Sequence, residues 1–137
     1  MRDKVFLDSN ILVYSSLQND SDKHDKTLHF LETIKGSVIF ISTQVVNELY
    51  VTLLKHKLSD EETETIVEEI IKVYNISMIT ISTIKKSWNL RKQYNLSYWD
   101  SLIVASALET ECGVLYTEDM QDERVINNTL TIKNPLK

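Results

Sequence analysis

The chain has 137 residues, 42% of them hydrophobic, and a formal net charge of −5. This length is sufficient for one buried core, and we expect a single domain over residues 1–137. No apolar stretch approaches the roughly 20 residues that a membrane-spanning helix needs, and the amino terminus lacks the pattern of a signal peptide. The negative charge excludes a general basic surface for nucleic acid.

Three scarce residue types exclude further classes of protein. Cys112 is the only cysteine, which excludes a disulfide within the chain and favours the reducing cytoplasm. Gly36 and Gly113 are the only glycines, too few for a dinucleotide-binding or Walker phosphate loop. The three histidines lack the spacing of a metal site, and we expect them at the surface or at its boundary.

In chain order, apolar runs alternate with segments of helical periodicity. Val5-Phe6-Leu7 predicts a buried strand, and Ile11 to Leu17 predicts the helix that follows it. Gln18 to Asp25 predicts an exposed loop, and the next helix, about His24 to Ile34, is expected to end at a left-handed Gly36. The following strand and helix are predicted at Ser37 to Ile41 and at about Thr43 to His56.

The second half of the chain continues this alternation. Ser59 and Glu62 fit a capping box that opens a helix to about Tyr74. The remaining predicted elements are a strand at Met78 to Ile81, a basic helix at about Thr83 to Tyr94, an apolar helix from Ser97 to Leu108, and strands at Val114 to Thr117 and Leu130 to Lys133. This order predicts an α/β fold, a three-layer α/β/α sandwich around a mostly parallel sheet of four to five strands.

Four acidic residues fall at one predicted edge of this sheet. Right-handed crossovers bring the carboxyl ends of parallel strands to the same edge, where ligands usually bind. Each acid also has a plain structural explanation, since each could cap a helix or lie on a solvated face. Together they form a cluster of like charges, which needs a divalent cation, and oxygen ligands favour Mg²⁺ or Mn²⁺ over Zn²⁺. The four acids are Asp8, Glu48, Asp100 and Asp119.

The segments that carry these acids resemble the PIN-domain ribonucleases, and among them the VapC-type toxins of toxin–antitoxin pairs. The resemblance covers nearly the whole chain in order and spacing. The matching segments are Phe6-Leu7-Asp8-Ser9-Asn10-Ile11-Leu12, Asn47-Glu48-Leu49, Tyr98-Trp99-Asp100-Ser101-Leu102-Ile103-Val104-Ala105 and Thr117-Glu118-Asp119-Met120-Gln121-Asp122.

This resemblance implies an endoribonuclease that uses Mg²⁺ or Mn²⁺ bound by the four acids. Asn10 and Thr117 would be supporting polar residues, and Asp122 is a further candidate ligand. Ser9 stands where threonine is commoner in the family, and Glu123 where many relatives carry glycine or phenylalanine. The partners implied are RNA, a small antitoxin protein and a second copy of the chain.

Two regions are candidates for contact with these partners. The basic helix carries Lys85, Lys86, Arg91 and Lys92, which could guide RNA, although such residues more often form a solvated face. Tyr50, Leu53 and Leu54 are candidates for a surface that binds another protein.

Three other functions remain open from the sequence. A phosphatase with Asp8 as nucleophile would need a second aspartate two residues later, where Asn10 stands. The fold could also serve as a non-catalytic binding module in which the acids only cap helices. A PIN-like nuclease that processes RNA without an antitoxin is the third alternative.

Overall fold

The computed structural model describes residues 2–137 and shows a central sheet flanked by helices. Within these residues, no helix is long and apolar enough to cross a membrane. The elements are β1 Lys4–Leu7, α1 Ser9–Ser16, α2 Ser21–Thr33, β2 Val38–Ser42, α3 Thr43–Lys55, α4 Asp60–Val73, β3 Asn75–Ser77, α5 Ile81–Tyr94, α6 Tyr98–Glu109, β4 Val114–Tyr116, β5 Val125–Ile126 and β6 Leu130–Lys133.

The sheet has six strands in the order β3-β2-β1-β4-β6-β5. All neighbouring strands run parallel except β5, which pairs antiparallel with β6 at the edge. The predicted α/β class and mostly parallel sheet are confirmed, but the prediction of four to five strands is wrong. The missed strand is Val125–Ile126, which is too short to show a periodic pattern.

Helices cover both faces of the sheet. The chain moves outward from β1 to β2 and β3, then returns past β1 to β4, so right-handed crossovers place α1–α4 on one face and α5–α6 on the other. The direction of winding reverses between β1 and β4. Ligands of open α/β sheets bind outside the strand carboxyl ends at such a switch point. Large, fully buried side chains from both layers form the core, among them Phe6, Ile41, Leu49, Ile103 and Leu115.

The predicted third strand at Met78 to Ile81 is wrong. The strand is Asn75–Ser77, directly after α4, and the Asn75 side chain donates to the Ile39 carbonyl of β2 at 3.0 Å. Thr80 caps α5 through a reciprocal capping box with Thr83, so the chain is already turning into a helix there. The capping hydrogen bonds of Thr80 therefore favour a helix start here, although the apolar run from Met78 to Ile81 predicts a strand.

The predictions for the second helix are also wrong in part. α2 begins at Ser21 because Asp20 accepts a hydrogen bond from the backbone N–H of Lys23, so the predicted loop is half helical. The helix ends at Thr33, and Gly36 does not have a positive φ. By contrast, the capping box of Ser59 and Glu62 at α4 is confirmed.

Candidate functional site

Asp8 lies directly after β1 at the switch point of the sheet. Its backbone N–H donates to the Tyr116 carbonyl at 3.0 Å, so β1 stays paired with β4 up to this residue. The side chain is only 4% exposed, and it caps α1 by accepting a 2.7 Å hydrogen bond from the Ser9 N–H. Asp8 therefore caps α1, as its structural alternative predicts. The cap uses only Oδ1, so Oδ2 can make a further contact.

A buried hydroxyl connects Asp8 to the loop that follows β4. Thr117 is fully buried, and its Oγ1 donates to Asp8 Oδ2 at 2.8 Å. Thr117 Oγ1 also accepts hydrogen bonds from the Asp119 N–H at 3.1 Å and from Asn10 Nδ2 at 3.2 Å. Asn10 Nδ2 also donates to Asp119 Oδ2 at 2.8 Å. Thr117 and Asn10 therefore hold Asp8 and Asp119 in one network.

Glu48 joins the site from the second turn of α3. Ser9 Oγ donates to Glu48 Oε1, and Gln44 Nε2 donates to Glu48 Oε2, both at 3.3 Å. Gln44 lies one helical turn before Glu48, and the i,i+4 spacing places both side chains on the same helix face. The Glu48 carboxylate is thus directed towards Ser9, the residue next to Asp8.

Asp100 occupies the first turn of α6. Ser97 is the N-cap residue, and its hydroxyl accepts a 3.1 Å hydrogen bond from the Asp100 N–H. The helix continues as an entirely buried segment from Ser101 to Ala107, which fixes its start against the sheet. The positive end of this helix stabilises a carboxylate at Asp100.

The carboxylates influence one another's ionisation. The pKa of Asp8 is raised to about 7, chiefly by burial and in smaller part by the nearby charges of Glu48 and Asp119, while the hydrogen bonds from Thr117 and Ser9 oppose the rise. Burial likewise raises the pKa of Asp100, with a contribution from the Asp119 charge against the lowering by Ser97. The four predicted acids therefore lie close enough to interact.

This arrangement is not a closed metal cage. Among the acidic, histidine and cysteine side chains of residues 2–137, no group of three converges closely enough to hold an ion. Asp8, Glu48 and Asp119 are connected through Ser9, Asn10 and Thr117 rather than by direct contact, and Asp100 is held separately by Ser97. The geometry is an open acidic cleft with oxygen donors on several sides.

Asp122 is engaged elsewhere. Its Oδ1 accepts from the Asn134 N–H at 2.7 Å, and its Oδ2 forms an ion pair with Lys137 Nζ at 2.9 Å. These partners lower the pKa of Asp122. The next residue, Glu123, adopts a left-handed φ of 66°, and its N–H donates to the Ile132 carbonyl. The short helix from Met120 to Arg124, the alternative explanation for Asp119, does not form.

The four basic residues of α5 lie at different distances from the strand-end edge, which is nearer to the end of this helix. Only three residues separate the end of α5 from the start of α6 at that edge, whereas Lys86 pairs with Glu109 at the other end of α6. Lys85 is exposed about one turn into the helix. Lys86 forms an ion pair with Glu109 at 3.1 Å. Arg91 and Lys92 occupy the last turn, where positive charge stabilises the carboxyl end of any helix.

Two groups of residues near the site were not predicted from the sequence. The first is Gln44, whose i,i+4 spacing to Glu48 was the available signal. The second surrounds Glu118, which pairs with Lys23 at 3.0 Å and accepts a hydrogen bond from the Tyr14 hydroxyl. No local pattern indicates a contact between α2 and the loop after β4, so this cluster could not have been found from the sequence.

Most of the chain matches one known protein family. The model of the PIN domain family matches residues 5–125, which include all four acids of the cleft. The chain belongs to the PIN domain family. No curated protein sequence matches it significantly.

Solved structures share the fold of this PIN domain. The VapC20 toxin of Mycobacterium tuberculosis, described as cleaving the sarcin–ricin loop, is 16% identical with a TM-score of 0.68, covering 84% of this chain and 91% of its own. VapBC2 of Rickettsia felis, bound to promoter DNA, is 22% identical with a TM-score of 0.69, covering 94% and 98%. A toxin–antitoxin complex of Klebsiella pneumoniae is 23% identical with a TM-score of 0.69, covering 96% and 97%.

The raised pKa of Asp8 predicts how the stability of the metal-free PIN domain depends on pH. Between about pH 4 and pH 7, folded Asp8 retains a proton that the unfolded chain has released, so the free energy of unfolding falls as pH rises. This contribution is on the order of 3 kcal/mol across that range. Asp8→Asn should remove it and flatten the profile, measured by urea unfolding in EDTA.

Asp122→Asn is the matched control for this measurement. The lowered pKa of Asp122 stabilises the fold above the unfolded pKa, and this contribution is lost as pH falls through the folded pKa. Its removal should therefore leave the decline between about pH 4 and pH 7 in place. An equally steep decline in Asp8→Asn would show that Asp8 is not the group responsible.

Proposed function

We propose that this PIN domain is an endoribonuclease that hydrolyses RNA phosphodiester bonds with Mg²⁺ or Mn²⁺, and that it is the toxin of a type II toxin–antitoxin pair. The observation that carries the proposal is the buried Asp8 at the switch point, joined through Thr117 and Asn10 to Asp119. An ordinary helix cap would lie at the surface and would not need a second strand end to hold it. We propose that residues 1–137 act as one nuclease domain.

The acids present a donor set that suits the proposed metal. Their ligand atoms are carboxylate oxygens, which Mg²⁺ and Mn²⁺ prefer. The open arrangement also suits Mg²⁺, which usually keeps several water molecules and binds through one or two carboxylates. A cation beside Asp8 would favour its ionised form, which burial disfavours. When bound, a divalent cation polarises the phosphodiester and activates a water molecule for attack.

The side chains of the cleft would have different roles in metal binding. Asp8 and Asp100 are the proposed direct ligands, and Glu48 and Asp119 complete the site directly or through water. Thr117 and Asn10 position Asp8 and Asp119, because their hydrogen bonds fix both carboxylates relative to the two strand ends. The contacts of Asp122 with Asn134 and Lys137 support a structural role for it over ligation.

A phosphatase mechanism has less support. It would use Asp8 as a nucleophile and a second acid two residues later to protonate the leaving group. Asn10 stands at that position, and its amide N–H groups are committed to Thr117 and Asp119. An amide in this role holds a carboxylate in place and cannot supply the proton.

The proposed partner proteins follow from the structural neighbours, which include toxin–antitoxin complexes. We propose a small antitoxin as the natural partner, a homodimer as the assembled form, and the cytoplasm as the location. Among the residues predicted for a protein-binding surface, Leu53 is fully buried and is excluded, whereas Leu54 is 37% exposed. The neighbouring Val51, 50% exposed, extends the apolar surface around Leu54 on α3.

Cleavage of purified RNA should require Mg²⁺ or Mn²⁺ and should stop when a chelator is added. The physical reason is that the like-charged acids cannot approach a phosphate unless a cation neutralises them. Cleavage is measured on single-stranded RNA with wild-type protein and with Asp8→Asn, which keeps the shape but removes the charge. Activity of Asp8→Asn that persists in excess EDTA would contradict the metal mechanism.

Asp100→Asn should abolish cleavage and yet stabilise the metal-free protein. The substitution removes repulsion between Asp100 and Asp119, worth on the order of 0.5–1 kcal/mol at a partly exposed site after screening by solvent. The melting temperature in EDTA should therefore rise by roughly 1–4 °C. Millimolar Mg²⁺ should then raise the melting temperature of the wild type more than that of the variant.

A purely capping role for Asp100 predicts the opposite result. The variant would then melt below the wild type in EDTA, and both proteins would respond equally to Mg²⁺. Melting curves of the two proteins with and without metal separate these outcomes, and the second one would remove Asp100 from the proposed site.

Lys85→Ala with Lys86→Ala should weaken RNA binding and reduce its dependence on salt. Each lost phosphate contact lowers the slope of log affinity against log salt by about one unit. We expect a change of about one unit, because Lys86 is paired with Glu109 while Lys85 is free to reach a backbone. Arg91→Ala with Lys92→Ala, in the last turn of α5 just before α6, tests whether RNA follows that end of the helix instead. An unchanged slope in the first pair would place the RNA elsewhere.

A further inference from the structure

A cavity of about 500 Å³ opens beside Glu48 at the strand-end edge. It lies between the start of α3, the segment that follows β3 and the start of α6. One side is apolar and the other carries amide and hydroxyl groups. The lining residues are Thr43, Gln44, Asn47, Glu48, Ile79, Trp99 and Leu102.

The exposed wall of this cavity is an indole ring. Trp99 is 62% exposed, although an aromatic side chain of this size is usually well covered. Its backbone is fixed, because Gln44 Nε2 donates to the Trp99 carbonyl at 3.1 Å. Its ring meets Tyr98 edge to face, with centroids 5.0 Å apart. The indole is therefore presented to solvent from a rigid helix start.

The buried wall contains an unused hydrogen-bond acceptor. Gln44 is only 8% exposed, and its Nε2 donates to both Glu48 and Trp99. Its Oε1 is buried and has no hydrogen-bond partner among the described residues. A buried acceptor without a partner destabilises a fold unless something else satisfies it. A ligand that carries an N–H group on a flat edge would supply the missing donor.

We propose that this cavity binds an unpaired base of the RNA next to the scissile phosphate, with Trp99 stacking on the base and Gln44 Oε1 accepting from its N–H edge. The proposal rests on the proposed function, since the cavity shares Glu48 with the cleft. A phosphate group would be repelled by Glu48, whereas a neutral, flat base matches an apolar wall with one acceptor. Every base has an aromatic face, so stacking fits RNA of many sequences.

Abasic substrates test the stacking contact. A single-stranded RNA that wild type cleaves is made with one base removed, at each position around the cut in turn. One abasic position next to the cut should lower kcat/KM roughly 5- to 100-fold, the range expected for loss of one stacked base. Trp99→Ala should lower kcat/KM on intact RNA by a similar factor, and the same abasic position should then have little further effect.

Trp88→Ala is the matched control, because Trp88 is also half exposed but does not line the cavity. It should cleave intact and abasic RNA as wild type does. Melting curves of both variants confirm that each is folded. If Trp99→Ala cleaves intact RNA normally, or if it remains as sensitive to every abasic position as wild type, the base-binding proposal is wrong.

Fluorescence separates this proposal from the proposed function. In an Asp8→Asn, Trp88→Phe background, Trp99 is the only tryptophan, and single-stranded RNA should quench its emission because a base stacks on it. Quenching without cleavage by wild type would retain the base site and overturn the nuclease. Cleavage without quenching would retain the nuclease and overturn the base site, leaving the cavity to a partner protein. Absence of both would overturn both.

Discussion

The two central acids of the cleft, Asp8 and Asp119, depend on the hydrogen bond between Thr117 and Asp8 for their relative position. Thr117 and Asp8 follow directly after β4 and β1, the two strands between which the sheet reverses its winding. Thr117 has no exposed surface, and its oxygen contacts Asp8, Asn10 and Asp119 at once. A buried network of this kind is stable only when every member is satisfied. A single hydroxyl therefore sets the distance between two carboxylates that repel each other.

The cleft is consequently a compromise between stability and binding. Burial and neighbouring charge keep the pKa of Asp8 near neutrality, so the folded chain loses stability as pH rises from about 4 to 7, where only the unfolded chain releases this proton. Ionisation of folded Asp8 at higher pH would create the negative site that the proposed cation requires. Metal affinity should then rise with pH as the proton leaves, because ligands must be deprotonated to bind. Asn10 offsets part of the repulsion between the carboxylates, because its amide donates a hydrogen bond to Asp119.

Much of this arrangement is predictable from the sequence, because alternating strands and helices bring all strand ends to one edge. Asp8 could be placed there from a three-residue apolar run and a helix start. The strand at Asn75–Ser77 could not, since an edge strand needs few apolar residues and the neighbouring run from Met78 to Ile81 carried a stronger signal. The contact of Gln44 with Trp99 and that of Asp122 with Asn134 join distant segments, and no local pattern records them.

Residues 134–137 contribute to the order of the strand-end edge. Asp122 accepts a hydrogen bond from the backbone N–H of Asn134 and forms an ion pair with Lys137. The next residue, the left-handed Glu123, donates its N–H to the Ile132 carbonyl of β6. The loop that carries Asp119 is thus held at its far end through Asp122, by a segment for which no hydrogen bond or ion pair with the four acids of the cleft is found among residues 2–137. Substitutions in residues 134–137 would weaken these contacts with Asp122 and so disturb the loop that carries Asp119. Changes far from the acids in the sequence would therefore alter the geometry of the cleft.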